Sequence, residues 1–267
     1  MQYRGLEAAS CRLGRPYAQV SCKICCSRCR PLGLLPFTKN AHAHELLHGG
    51  DLEVAYWGCE ECGFLFSRFL DKFSASAVAA LIYNEDYLQV DPDYPDARPQ
   101  RNAKWLQGLL HGSPSVLDYG CGNGKLVELM SGFGVERIAG EDPFSGSIGD
   151  PGVGRFDLVV AFEVLEHATD PIALASHLRS RLSDDGIIIL STHLLQEQCA
   201  CPLNWRYVAP RNGHVSIFSR RSLERLAGRV GMAVRSLTAT KHVLFGDAAH
   251  VRQWINWPNG LGEEIES

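Results

Sequence analysis

The chain has 267 residues, a formal net charge of −4 and 45% hydrophobic residues. That length holds one full α/β domain and a small accessory unit, and the apolar content excludes a disordered chain. The slightly acidic balance gives no electrostatic footprint for nucleic acid or a membrane surface, and no apolar run is long enough to span a bilayer.

Met1 to Val20 carry scattered arginines and no apolar core, so no secretory signal is expected. The expected address is cytoplasmic, where disulfides are rare. Seven of the 10 cysteines nevertheless fall within the first 62 residues. Cys22–Cys25 and Cys59–Cys62 form two C-x-x-C knuckles, the second closed by Gly63. Two knuckles supply four thiolates to a tetrahedral metal, and the 33 residues between them fit a zinc ribbon with a strand hairpin. Four protein ligands leave no open position, so the expected zinc is structural. Cys26 and Cys29 form an overlapping third C-x-x-C and compete for the same assignment, while Cys11 has no evident partner. His44-Glu45-Leu46-Leu47-His48 matches the zincin signature H-E-x-x-H. Gly49-Gly50 follows at once, which leaves little helix to carry it. A polar hairpin tip is the favoured reading, with these histidines as alternative zinc ligands.

A short helix is expected over Phe69–Ala80. Asp91-Pro92, Tyr94-Pro95 and Arg98-Pro99 then forbid a continuous helix. This stretch reads as a lid with tyrosine walls, or as a proline-pinned linker. Arg101–His111 reads as the helix before the first core strand.

Val116-Leu117-Asp118-Tyr119-Gly120-Cys121-Gly122-Asn123-Gly124-Lys125 is the most informative run. It reads as a buried strand, a glycine turn and a helix that starts at once. Such a turn lets a cofactor lie against bare backbone and the N–H groups of a helix start. The glycines run G-x-G-x-G, whereas the dinucleotide fingerprint G-x-G-x-x-G would place its last glycine at Lys125. Asp118 also argues against a dinucleotide. A carboxylate about 4 Å from a pyrophosphate costs roughly 4 kcal/mol at an effective dielectric near 20. That is close to a thousandfold in affinity. The same carboxylate favours the ammonium of a methionyl group.

Ile138–Asp142 reads as a second strand ending in acid, where a crossover returns a carboxylate to ribose hydroxyls. Only 13 residues separate Asp142 from Phe156, too few for a regular helix and strand. The third β/α unit is therefore expected to be truncated, with Asp150 a weak substitute for the missing acid. Phe156–Phe162 is a buried strand. Pro171–Leu182 is a helix capped by Asp170, Gly186–Thr192 a strand, and Arg220–Val230 a helix capped by Ser219. Met232–Thr240 and His242–Phe245 supply a final antiparallel pair. The alternation predicts a doubly wound, mostly parallel α/β sheet. The expected division is a cysteine-rich unit at 1–70, a lid or linker at 71–104, a cofactor domain at 105–248 and a tail at 249–267.

These motifs together resemble the class I S-adenosylmethionine-dependent methyltransferases. The matched pattern is L-D-x-G-C-G-x-G, then G-x-D at Gly140–Asp142, then Phe156-Asp157 leading into Glu163-Val164-Leu165-Glu166-His167-Ala168-Thr169-Asp170-Pro171. It covers roughly residues 100–240. The resemblance implies S-adenosylmethionine contacts at Asp118, Gly120, Cys121, Gly122, Asn123, Gly124, Asp142, Pro143, Phe162 and Glu163. The lid stretch and the segment Asn204–Pro210 with Gly213–Ser219 are similar to insertions of zinc-headed members, some of which act on sugars or secondary metabolites. Catalytic candidates are His214, His167 and Glu166, with His214 as base or acceptor ligand and a capping or packing role open for His167. The implied reaction is methyl transfer to oxygen, carbon or nitrogen of a small-molecule acceptor. The alternatives are a non-catalytic zinc-ribbon adapter and a zinc hydrolase built on His44 and His48.

Overall fold

The structure is a computed structural model that describes residues 20–42, 51–148, 154–196 and 199–256. The H-E-x-x-H stretch, Cys11 and Asp150 lie outside the described residues.

The cysteine-rich head is a run of antiparallel strands: β1 (Val20–Ser21), β2 (Arg28–Pro36), β3 (Glu53–Cys59) and β4 (Leu65–Ser67). The knuckle turns need left-handed backbone, with Cys26 at φ 64° and Gly63 at φ 70°. Three helices follow, α1 (Ala75–Leu81), α2 (Tyr87–Val90) and α3 (Ala97–Leu109). The helix expected from Phe69 starts six residues later. The chain turns through Leu70–Phe73 first, and Ser74 then caps α1 by accepting from Ala77 N–H. Helix α3 begins before the expected Arg101, because Pro99 falls in its first turn, where a missing N–H costs nothing.

The remaining elements are β5 (Val116–Tyr119), α4 (Lys125–Gly132), β6 (Ile138–Asp142), β7 (Gly146–Ile148), β8 (Phe156–Phe162), α5 (Pro171–Ser180), β9 (Leu182–Ser191), β10 (Leu194–Leu195), β11 (Ser216–Ser219), α6 (Arg220–Arg229), β12 (Ala233–Ser236), β13 (Lys241–Phe245) and α7 (Ala248–Trp254). The larger sheet has the order β12-β13-β9-β8-β5-β6-β7. Strands β6, β5, β8 and β9 are parallel neighbours, flanked by antiparallel strands on both sides. Truncation of the third unit does not leave a gap. Three residues, β7, fold back antiparallel on β6 and become the edge.

Period-two alternation splits the core. Leu158, Val160, Ile187 and Ile189 face α3, α4 and α7, while Val159, Ala161, Ile188 and Leu190 face α5 and α6. The second layer is continuous with the head, since Phe64, Phe66, Phe218 and the buried cysteines belong to it. The backbone makes the same connection. Strand β11 pairs antiparallel with β4, with Ser216 opposite Phe66, and the head sheet runs β1-β2-β3-β4-β11-β10. The head is therefore completed by residues from the far end of the chain. Among the described residues no helix is long and apolar enough to cross a membrane.

Candidate cofactor and acceptor site

Strand β5 sits where the chain order reverses, with β6 on one side and β8 on the other, and open α/β sheets bind ligands beyond that point. A cavity of about 900 Å³ opens there. Its walls include Asp118, Gly120, Cys121, Gly122, Asn123, Asp142, Pro143, Phe162, Glu163, His167 and His214. Two expected residues stand behind the wall. Gly124 starts α4 at φ 75°, and a Cβ there would meet Ile148 Cδ1 at 2.3 Å. Glu166 is fully buried beneath the two histidines.

The glycine turn has the form its sequence requires. Gly120, Gly122 and Gly124 all have positive φ, and a Cβ on Gly120 would lie 2.5 Å from Val164 Cγ2. Asp142, at the end of β6, accepts from Gly122 N–H at 3.0 Å and from Phe144 and Ser145 N–H at 2.8 Å. Its neighbour Glu141 pairs instead with His177 and Arg181, outside the cavity. Asp118 is buried, and burial followed by the Asp142 charge raises its carboxyl to about 7. A cation placed beside it relieves both effects. Burial, then the Asp118 charge, pushes the Cys121 thiol up to about 12, so it is no nucleophile.

Strand β8 ends in a strained turn. Glu163 has φ 55°, and Ser191 holds it by accepting from its N–H at 2.9 Å and donating to Oε1 at 2.7 Å. The next turn carries Glu166 and His167, and the loop before β11 carries His214. The His167 and His214 ring centroids are 5.0 Å apart. His214 Nδ1–H donates to the Tyr207 carbonyl at 2.7 Å, which leaves Nε2 as a lone pair. Burial lowers both imidazoles well below the usual histidine range; the His167 charge adds to this at His214, and Arg98 at His167. Glu166 is raised by burial and then by Glu163, while its Oε1 accepts from Tyr207 Oη–H at 2.5 Å.

Residues 83–98, expected to be a lid or a linker, line the same cavity. Tyr83, Tyr87, Tyr94 and Phe144 make ring contacts at 5.0 to 5.5 Å. Arg98 grips Asp91 through two bonds of 2.7 and 2.9 Å, and Asn123 donates to Pro95 C=O. Arg211, on the loop before β11, donates to Ile82 C=O and to Asn84 Oδ1, both at 2.8 Å. Sequence reading missed Tyr207, Arg98 and Arg211 as organising residues. Their partners lie at irregular or long separations, which leave no local pattern.

In the head, Cys22, Cys25, Cys59 and Cys62 converge, with Sγ–Sγ distances of 3.4 to 3.6 Å for the close pairs. A tetrahedral ion with 2.3 Å bonds needs thiolates about 3.8 Å apart, so the set fits a metal. Cys26 is exposed and Cys29 turns to Ser27 C=O, which removes the competing frame.

A family model described as "Methyltransferase domain" matches residues 90–237. The chain belongs to the methyltransferase-domain family. Among curated proteins, the chain is 34% identical over 119 residues to a tRNA U34 carboxymethyltransferase of Aeromonas salmonicida, covering 33% of this chain and 36% of that protein. It is 32% identical over 116 residues to a ubiquinone biosynthesis O-methyltransferase of a Bradyrhizobium strain, covering 35% and 44%. The matches therefore span less than half of those relatives' length. An O-methyltransferase family structure from Burkholderia thailandensis superposes with a TM-score of 0.48 at 14% identity, covering 65% of this chain and 62% of that one. In this methyltransferase domain, the glycine turn and Asp142 lie within the matched residues, while the cavity also draws walls from outside them, among them His42, Tyr83, Tyr87 and Lys241.

Proposed function

We propose that the chain transfers a methyl group from S-adenosylmethionine to a small-molecule acceptor, with the Cys22–Cys25–Cys59–Cys62 set holding a structural zinc. The observation that carries this is the pair of carboxylates, Asp118 and Asp142, that face a bare-backbone turn at the reversal of the sheet. Asp118 would hold the methionyl ammonium, Asp142 a ribose hydroxyl, and Gly120, Gly122 and Gly124 the close backbone approach. Cys121, Asn123, Pro143, Phe162 and Glu163 would complete the cofactor walls. S-adenosylmethionine, when bound, supplies an already activated methyl carbon. The chain's part is then alignment, exclusion of water and removal of a proton. The tyrosine lid excludes water. The acceptor's nucleophile would stand against His214 and His167, whose imidazoles burial keeps uncharged at neutral pH, so that each can accept a hydrogen bond from it. The cavity volume suits a small molecule.

We keep the division at residues 70, 104 and 248 as a proposal for the chain's organisation. Calorimetry with S-adenosylhomocysteine on metal-replete protein tests the cofactor assignment. Binding is expected, and Asp142→Ala should weaken it at least tenfold. Absence of binding overturns the reading. Radiolabelled methyl transfer to tRNA, with none to a panel of hydroxylated small molecules, would replace the acceptor class.

A further inference from the structure

One end of the cavity carries positive charge that the chain does not offset. Four lysine and arginine side chains line the cavity: Arg98, Arg101, Arg206 and Lys241. Two are engaged, Arg98 with Asp91 and Arg101 with Asp93, each at 2.7 Å. Among the described residues, Lys241 and Arg206 have no ion-pair partner. One carboxylate, Glu163, acts on both Lys241 and His193 through its charge, and it is already bonded to Ser191. Two cations against one carboxylate leave a surplus positive charge.

Lys241 starts β13 opposite Ser191, three places from β5 in the sheet order. At the usual strand spacing its backbone is roughly 14 Å from Asp118, on the side away from Asp142. Its Nζ stands over two rings, 5.0 Å from the Trp105 centroid and 5.8 Å from that of Phe162. Ring faces hold an ammonium in place but do not neutralise it. Burial lowers its basicity and Arg101 adds to this, while Glu163 opposes both. A cation partly withdrawn from water is relieved by an anion beside it. Arg206 is exposed at the same end, since its charge and that of Lys241 both act on His193. From His193 a series of rings leads through Tyr207 to His214, with successive centroids 4.6 and 4.5 Å apart. A six-membered ring with an acid at one end and the nucleophile at the other bridges that span.

We propose that the methyl acceptor carries an anionic group, a carboxylate or a phosphate, that lies between Lys241 and Arg206 beside His193. Lys241 supplies a fixed charge held by the aromatic faces, and Arg206 a guanidinium that can take two acceptor oxygens at once. The inference deepens the acceptor reading above and rests on it for the use of the site. The anion pocket itself does not depend on methyl transfer.

The test is a titration of zinc-loaded, full-length protein at fixed ionic strength, followed by tryptophan fluorescence. The probes are 4-hydroxybenzoate, phenyl phosphate and the uncharged 4-hydroxybenzamide, each with and without saturating S-adenosylhomocysteine. At least one acid is expected to bind saturably, with the amide at least tenfold weaker. The tighter of the two acids identifies the group. Lys241→Gln should weaken the acid about tenfold and Lys241→Arg should restore most of the loss, as expected for a charge-assisted bond. Arg206→Gln, on an exposed side chain, reports the same direction if the Lys241 change costs the fold. S-adenosylhomocysteine affinity should stay within twofold in all three variants. No saturable binding of either acid, equal binding of the amide, or acid binding that survives both glutamine substitutions overturns the proposal. So does a tenfold loss of S-adenosylhomocysteine affinity in Lys241→Gln, which would assign the lysine to the cofactor's own carboxylate. Failure of S-adenosylhomocysteine to bind at all is a failure of the methyltransferase reading, and the titration without it still reports on the anion pocket.

Discussion

Asp118 is the residue whose chemistry depends most on what enters the cavity. Its carboxyl sits at about 7, against an ordinary 3.8, because burial and then Asp142 oppose its charge. Between those two pH values the folded chain holds more of this proton than the unfolded chain. The group's contribution to stability therefore falls as pH rises from about 4 to 7, and it is flat above. A bound ammonium needs the ionised form, so the dependence of affinity has the opposite sign. Affinity for S-adenosylhomocysteine should decline below pH 7 by up to about tenfold per pH unit, from the linkage of one proton. Calorimetry from pH 8 to 5.5 checks this, with Asp118→Asn expected to bind more weakly and to lose most of the slope. This carboxylate was legible in the sequence because its role follows from local order, a strand end before a glycine turn. Tyr207 was not. It bonds Glu166 across 41 residues, and no spacing announces that.

At the scale of elements, two short features hold more than their length implies. Gly120 has φ 79° and no room for a methyl beside Val164. Gly120→Ala should cost about 1 to 3 kcal/mol, since a β-branched neighbour cannot swing away and the backbone is strained for an L-residue. Urea unfolding measures the cost, and cofactor affinity should fall with it. Ser219 accepts from Ser222 N–H to start α6 and donates to Cys62 C=O at 2.7 Å. Ser219→Ala removes a helix cap and leaves that carbonyl unpaired, for a loss of about 2 kcal/mol. It should also raise the rate at which a chelator strips the cysteine metal. The helix itself was readable, because Ser219 and Gly231 punctuate an amphipathic stretch. The bond to Cys62 was not, because it links a cap to a knuckle 157 residues away. The antiparallel β7 also escaped sequence reading. A short, glycine-rich segment shows that a parallel unit is missing and not what replaces it.

For the whole molecule, the head and the α/β sheet share one hydrophobic layer, and the later part of the chain lends strand β11 to the head sheet. An autonomous ribbon would melt alone when its metal is removed. Here chelation should lower the melting temperature of the entire chain in a single cooperative transition, with cofactor binding lost in parallel. Calorimetry and near-ultraviolet circular dichroism of Cys59→Ser give the same check without a chelator. Two separate transitions would show that the shared strand carries little energy. The sequence reading expected a ribbon preceding an α/β domain, since cysteine spacing and β/α alternation are each local. Their fusion through β4 and β11 rests on a pairing with no local signature.

That pairing also sets a timetable for synthesis. Phe66 leaves the ribosome about 150 residues before Ser216, the residue it faces. At roughly 5 to 20 residues per second, the nascent head carries a bare strand edge for something like 8 to 30 seconds. Throughout that interval the first-made part of the protein is exposed to mispairing with neighbouring nascent chains, and a metal captured early by the proposed four-cysteine site would hold it in shape until the closing strand arrives.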